Sequence, residues 1–156
     1  MGQIQIVPFQ EAHRLAVRRI LTAIGWAEQY VTAGEENAVS FTLQPDTMAA
    51  YAALIEGEAE GVLYVQFYVW NQLAQIHGLF VHPEQHRKGL ARALVERAEQ
   101  FVRSKSARGI YVDTPTTNLG GRSFYEAVGF QLGYVMPRYY EDQLDGVTYQ
   151  KFFSKY

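Results

Sequence analysis

The sequence predicts an α/β (α+β) fold in which helices pack on a single layer of sheet. Strand-like runs alternate with amphipathic helices along the chain, and two strand-like runs in succession close it. The length of 156 residues suits one hydrophobic core, because single domains typically contain roughly 100–200 residues. We therefore expect residues 1–156 to form one domain.

Composition excludes several classes of protein. The chain is 48% hydrophobic and 14% aromatic with a net charge of -2, which excludes disorder over most of its length. Its most apolar run, Val62–Trp70, is shorter than the roughly 20 residues of a membrane span. The sequence also lacks a dominant basic stripe of the kind that binds nucleic acid. The absence of cysteine excludes disulfides, thiolate nucleophiles and cysteine-ligated zinc. We expect no membrane, nucleic-acid or metal partner, and a cytoplasmic location because Met1–Val7 lacks a signal-peptide pattern.

The first half of the chain predicts strands around one clear helix. A strand ends at Pro8, and apolar residues at three- and four-residue spacing make Gln10–Ile24 an amphipathic helix. Residues 26–45 are expected to hold one or two short helices and a loop. The alanines of residues 47–56 favour a helix, but the glycine-containing turn that follows them and the β-branched run at Val62–Val69 indicate a hairpin. We therefore predict a strand there.

The second half predicts two further helices between strands. The clearest element is an amphipathic helix at Lys88–Arg103, with Leu90, Leu94, Ala98 and Phe101 along one stripe. The other predicted elements are a strand at Leu73–Val81, a strand at Gly109–Thr114, a helix at about Gly120–Val128 followed by Gly129, and strands at Gln131–Tyr139 and Val147–Phe153 around a turn at Asp145–Gly146.

The turn before the clearest helix has the properties of an anion-binding site. It runs from a strand into a helix N-terminus, where backbone N–H groups are free and the helix dipole adds about half a positive charge. Arg87 and Lys88 add full charges, although cations there disfavour the helix itself by a few tenths of a kcal/mol. Together with Gly89 they indicate a site for an anionic diphosphate, the alternative being a solvated loop whose charges have no ligand.

A second segment changes the interpretation of the first. Tyr125, on the short helix after Asn118, is by itself compatible with an ordinary residue at the edge of the core. In combination, the patterns His86-x-x-Gly89-x-Ala91 and Phe124-Tyr125-x-x-x-Gly129-Phe130 resemble the GNAT superfamily of acyl-CoA-dependent N-acyltransferases. The resemblance, which includes Val81-x-Pro83 at the end of the central strand, covers roughly residues 61–153.

The resemblance implies a mixed, mostly antiparallel central sheet flanked by helices, with a splayed parallel pair of strands forming the cofactor cleft. It implies acetyl-CoA as the acyl-donor cosubstrate, held by backbone groups of the turn and of the strand edge and by the Asn118 side chain. His86 departs from the Arg or Gln that the family usually has at the first position of the turn. The implied cofactor-binding residues are Leu79, Phe80, Val81, His86, Arg87, Lys88, Gly89, Leu90, Ala91, Asn118 and Tyr125.

The resemblance also implies two catalytic residues. Tyr125 resembles the general acid that protonates the departing thiolate, and a phenol with a reference pKa of about 10 is neutral at pH 7. His77 stands where the family often has Glu on the central strand, and it could accept a proton or be only a hydrogen-bonded sheet residue. Because the chain has no cysteine for an acyl-enzyme, direct attack by an amine on the thioester in a ternary complex is expected.

Fewer sequence features indicate the identity of the acceptor amine. Arg138-Tyr139-Tyr140 resembles a hairpin of the peptide N-terminal branch, so Tyr139 and Tyr140 are expected to bind an amine-bearing substrate, either a small molecule or a peptide. Acidic residues could attract a cationic amine, namely Glu28, Glu35, Glu36, Glu141 and Asp142. The protein is expected to be a monomer or homodimer. A catalytically silent acyl-CoA-binding or sensing module and a structural domain without ligand stay open as alternatives.

Overall fold

The computed structural model describes residues 2–154, which form seven strands and four α-helices. The chain order alternates strands and helices and ends in a hairpin. The elements are β1 (Ile4–Pro8), α1 (Arg14–Ile24), α2 (Glu28–Ser40), β2 (Met48–Ile55), β3 (Glu58–Tyr68), β4 (Leu73–Val81), α3 (Leu90–Ser104), β5 (Gly109–Pro115), α4 (Leu119–Ala127), β6 (Gln131–Glu141) and β7 (Leu144–Phe152).

All seven strands belong to one mixed sheet in the order β1-β2-β3-β4-β5-β7-β6. Neighbouring strands are antiparallel except β4 and β5, which are parallel and are joined through α3. One face of the sheet packs on α1 and α2, and the other packs on α3 and α4. The predicted α/β (α+β) class and the mostly antiparallel sheet with one parallel pair are confirmed.

The helices follow the apolar spacing of the sequence. In α3 the residues Leu90, Leu94, Ala98 and Val102 are buried at four-residue intervals and form the stripe that contacts the sheet. Gly25 ends α1 with a φ of 108°, a left-handed conformation that glycine adopts at little cost. No helix within residues 2–154 is long and apolar enough to cross a membrane.

The alanine-rich segment is a strand, as predicted. β2 pairs with both β1 and β3, and Ala52 and Ala53, on opposite faces of the sheet, are both fully buried. Small side chains there let helices on both faces approach the backbone. Burial in the middle of the sheet therefore outweighs the helix propensity of alanine.

The closing hairpin differs from its prediction in the position of its turn. The chain reverses at Asp142–Gln143, and Asp145 and Gly146 belong to β7, so the predicted turn at Asp145–Gly146 is wrong. An atom at the Cβ position of Gly146 would lie 2.8 Å from Cδ2 of Tyr139. This glycine is therefore explained by a ring packed on the strand and not by a turn.

Candidate functional site

The turn between β4 and α3 presents a row of free backbone donors. The N–H groups of Arg87–Arg92 find no acceptor within residues 2–154, and the first helical donor with one is Ala93, 3.0 Å from the Gly89 carbonyl. Arg87 and Gly89 have φ values of 64° and 90°, and backbone that turns in this way collects N–H groups into an anion-binding concavity. The turn is open, and its donors lie at the positive end of α3.

Side chains around this turn leave the donors accessible. The His86 ring folds back towards β4, where Nε2 lies 3.3 Å from the Val81 carbonyl oxygen, and Lys88 donates to Gln85 at 2.9 Å. A recess of about 320 Å³ runs along the turn and reaches Phe124 of α4. No acidic side chain belongs to residues 86–92, so the recess favours an anion.

Val81, which lines the recess, is the last residue of β4, and β4 and β5 separate before that point. The two strands pair only from Leu73 and Gly109 to Ile76 and Val112, although both continue beyond that point. The His82 N–H donates to the Glu60 carbonyl of β3 at 2.8 Å, which fixes the alternation along β4. By that alternation Leu79 and Val81 direct their N–H and C=O groups into the opening between β4 and β5, whereas Phe80 directs its own groups to β3.

His77 is the residue of β4 that starts this opening. The register against β3 shifts there, since Tyr64 pairs with Gly78 and Val65 with Ile76, and His77 is the extra residue of a bulge. Its ring packs 5.1 Å from the Phe41 ring, and its Nε2 lies 3.0 Å from the Tyr68 hydroxyl. Desolvation by this packing lowers the pKa of His77 below 6.5, and the Asp113 charge partly opposes that shift. The imidazole is therefore neutral at pH 7.

Tyr125 is buried at the inner side of α4. Its ring lies 5.4 to 6.0 Å from the rings of Phe124, Phe130 and Tyr149. Burial, and to a smaller extent the neighbouring Tyr140, raise the pKa of the Tyr125 phenol well above its ordinary value. The hydroxyl is therefore protonated throughout the physiological range.

Asn118 has a structural role at the start of α4. Its Oδ1 accepts from the Gly121 N–H at 3.1 Å, and its Nδ2 donates to the Thr114 hydroxyl of β5 at 2.9 Å. The amide group carries two hydrogens, so one donor is left for a ligand. Asn118 thus ties the helix that carries Tyr125 to the edge of the opening.

Tyr139 and Tyr140 project from an irregular part of β6. Regular pairing with β7 is interrupted between Met136 and Glu141. The Tyr139 hydroxyl lies 3.4 Å from Oδ2 of Asp113, and the charge of Asp113 contributes to the raised pKa of Tyr140. Both tyrosines therefore lie near the first residue of β5 that follows its last pair with β4.

Sequence reasoning missed Asp113 and the recess around it. This second recess has a volume of about 230 Å³ and is lined by Gln75, Tyr111, Asp113, Tyr134, Met136, Tyr139, Gly146 and Thr148. Its lining residues come from four different strands, so no short sequence pattern predicts it. The available signal was the alternation Tyr111–Val112–Asp113, which places two polar side chains on one face of β5.

Comparisons with known proteins agree with this geometry. The profile of the acetyltransferase (GNAT) family matches residues 11–130. The chain belongs to the GNAT acetyltransferase family. It is 34% identical over 85 residues to a streptothricin acetyltransferase of Escherichia coli, a match that covers 54% of this chain and 48% of that protein. The chain thus spans about half the length of this curated relative.

Solved structures share the fold. A GNAT-family acetyltransferase from Desulfovibrio desulfuricans superposes with a TM-score of 0.87 at 18% identity, covering 97% of this chain and 100% of that one. A streptothricin acetyltransferase from Bacillus anthracis, in complex with acetyl coenzyme A, superposes with a TM-score of 0.69 at 22% identity, covering 75% and 69%. At these identities the likeness concerns the fold.

Proposed function

We propose that the chain is an N-acetyltransferase that moves an acetyl group from acetyl-CoA to a primary amine by direct attack in a ternary complex. The observation that carries the proposal is the row of free N–H groups at Arg87–Arg92, next to the open edge of β4. Membership of the GNAT family supports the same reading.

The residues of the opening fit the parts of acetyl-CoA. The N–H groups of Arg87–Arg92 would hold the diphosphate, and the absence of a side chain at Gly89 permits the backbone conformation that gathers them. Leu79 and Val81 would pair with the amides of the pantetheine arm, as a neighbouring strand would. When bound, acetyl-CoA supplies a thioester carbonyl that an amine can attack.

Two side chains suit the proton transfers of this reaction. An amine attacks only in its neutral form, so a base has to accept a proton, and the lowered pKa keeps His77 neutral for that role. The leaving thiolate needs a proton, and the Tyr125 phenol is a protonated donor. Both groups lie on elements that border the opening.

The acceptor proposed from the sequence is a peptide N-terminus or a small amine. Tyr139 and Tyr140 would contact it, and Tyr139 lines the second recess. The relatives include streptothricin, aminoglycoside and L-amino acid acetyl- or acyltransferases, which supports an amine acceptor without selecting one.

Thermal melting followed by a thiol-release assay tests the proposal. Acetyl-CoA at about 100 times its Kd stabilises by about 2.7 kcal/mol, so we expect Tm to rise by roughly 5–10 °C. Acetyl-pantetheine, which lacks the diphosphate, is the control ligand and should stabilise much less. Absence of stabilisation by acetyl-CoA contradicts the proposal, whereas stabilisation without thiol release on a broad amine panel identifies the catalytically silent module instead.

A further inference from the structure

The second recess contains a carboxylate that lacks a cationic partner. Asp113 is half-buried, and within residues 2–154 no Lys, Arg or His forms an ion pair with it. Its contacts are the Thr148 hydroxyl, the Tyr139 hydroxyl at 3.4 Å and Gln75 Nε2 at 3.5 Å. A partly buried carboxylate without a counter-ion raises the free energy of the fold, so a cation bound beside Asp113 would be stabilised.

Three of the five acidic residues expected to attract an amine already form ion pairs, and the other two, Glu36 and Glu141, are exposed to solvent. Glu28 pairs with Arg18, and Glu35 pairs with both Arg14 and Arg18 at 3.0 Å. Asp142 pairs with Arg138 at 3.1 Å on an exposed surface. Asp113 differs from these three because the groups around it are neutral.

The walls of the recess suit a cation as well. Tyr111, Tyr134 and Tyr139 contribute three aromatic rings, which attract cations through their faces. Burial, helped by the charge of Asp113, raises the pKa of Tyr111 to about 12, so its hydroxyl is neutral. Because no lining residue is basic, the single charge of the recess is the carboxylate.

Position connects the recess to the opening between the strands. Ile76 and Val112 are the last pair of β4 and β5, and His77 and Asp113 are the next residue on each strand. Val112 packs in the core beneath α3, so Asp113 faces the opposite side of the sheet, where the His77 ring contacts Phe41. A molecule in the recess would therefore lie beside the start of the opening.

The charge of Asp113 determines which part of an acceptor belongs there. A carboxylate favours the protonated form of any amine next to it, and a protonated amine cannot attack a thioester. The recess thus suits a group that stays charged during the reaction. We propose that Asp113 and the three tyrosine rings bind a second cationic group of the acceptor, so that the preferred acceptors are diamines rather than monoamines. This inference rests on the proposed N-acetyltransferase function.

Matched amines test this proposal. The probes are α,ω-diaminoalkanes of three to six carbons and the n-alkylamines of the same lengths, with kcat/KM measured by thiol release from acetyl-CoA. After correction for two equivalent amines, we expect the best diamine to exceed its monoamine by at least about 10-fold. Equal values for diamines and monoamines in the wild-type protein overturn the proposal.

Variants locate the effect. Asp113→Asn should lower kcat/KM for the diamine about 10-fold more than for the monoamine of the same length, and keep the stabilisation by acetyl-CoA. Asp113→Glu should retain the preference. Glu96→Gln, on the exposed side of α3, removes one charge from the opposite face and should change neither value. An unchanged preference in Asp113→Asn overturns the assignment.

A binding measurement separates this proposal from the proposed function. If no amine is acetylated, the proposed function fails, and melting of the CoA complex with each amine still tests the recess. Stabilisation by a diamine, absent with the monoamine and in Asp113→Asn, then supports the recess as a cation site. Absence of any diamine effect in these melts overturns it.

Discussion

The two recesses of the candidate site are built in different ways. The one at the β4–α3 turn uses backbone groups of a single stretch, residues 79–92, together with a helix N-terminus. The one at Asp113 uses side chains from β4, β5, β6 and β7. Nearly every residue type offers the same backbone groups, so the donors of the first recess depend mainly on backbone conformation. The second depends on the identity of each side chain, so single substitutions can alter it while the first stays intact.

Tyr125 is the proposed proton donor, and its removal should have the largest effect. The residue before it, Phe124, lines the first recess. Tyr140 contributes to the raised pKa of Tyr125, and the charge of Asp113 contributes to the raised pKa of Tyr140. Tyr125→Phe removes the proposed proton donor, and we expect kcat to fall by roughly 10²-fold with acetyl-CoA binding unchanged. Steady-state kinetics and a CoA titration measure both quantities.

A neighbouring ring gives the control for Tyr125. The Tyr149 hydroxyl donates to Glu126 at 3.0 Å and accepts from Arg122 at 3.1 Å. Tyr149→Phe should lower Tm with little change in kcat. If Tyr125→Phe also leaves kcat unchanged, Tyr125 is a packing residue and another group protonates the thiolate.

Gly89 tests the claim that the first recess depends on conformation. An added Cβ would meet only Ile4 Cδ1 at 3.8 Å, so space is available, but the φ of 90° is strained for any other residue. We expect Gly89→Ala to rotate the free N–H groups and to weaken CoA binding about 10-fold, as measured by calorimetry.

The matched control is a glycine with the same backbone strain elsewhere. Gly57 has a φ of 83° in the turn between β2 and β3, with no atom within 4 Å of an added Cβ. Gly57→Ala should have a similar effect on Tm but none on CoA affinity. Equal CoA affinities for both variants would mean that the turn at Gly89 does not hold the diphosphate.

His77 follows the last residue of β4 that pairs with β5, and its effect should depend on pH. Because the pKa of His77 is lower than 6.5, the ring is already neutral at pH 6.5 and above. Its ability to accept a proton is lost only at more acidic pH, where the ring becomes protonated. We expect kcat/KM of the wild type to exceed that of His77→Gln by about 10-fold at pH 8, and the ratio to approach one as pH falls through the lowered pKa. Using the ratio cancels the titration of the amine itself.

A second histidine controls for this pH effect. His13, before α1, also has a pKa lowered by burial. His13→Gln should leave the pH profile unchanged. A wild-type to His77→Gln ratio that does not vary with pH would contradict a base role for His77.

The contrast between the recesses explains what could be predicted from the sequence. The turn at residues 82–91 is readable because strand, glycine, basic residues and helix follow one another within a few residues. Tyr125 could be predicted as a site residue from its sequence spacing to Gly129. The parallel pairing that puts Asp113 next to His77 joins residues 36 positions apart, and within β5 this aspartate resembles any polar strand residue.

The acidic residues of α2 show the same limit. Their sequence positions predict exposure, but Glu35 is drawn between two arginines of α1 once the helices pack, and its side chain is only 14% exposed. Arg14 and Arg18 stand one turn apart, and that spacing on the preceding helix was the available signal. Tertiary pairing, which the local pattern does not contain, converts a candidate substrate contact into a link between helices.

The smallest expected effect belongs to this link. The arginines lower the pKa of Glu35, so its ionised form stabilises the fold above the usual pKa of 4.5, and this contribution is lost as pH falls through the lowered value. We expect Glu35→Gln to lower Tm by roughly 2–4 °C at pH 7 and by less in acid. Glu36→Gln, on the exposed side of the same helix, should have no effect at either pH. If both variants lower kcat for amines instead of Tm, these carboxylates attract the acceptor after all, and Asp113 is not distinct from them.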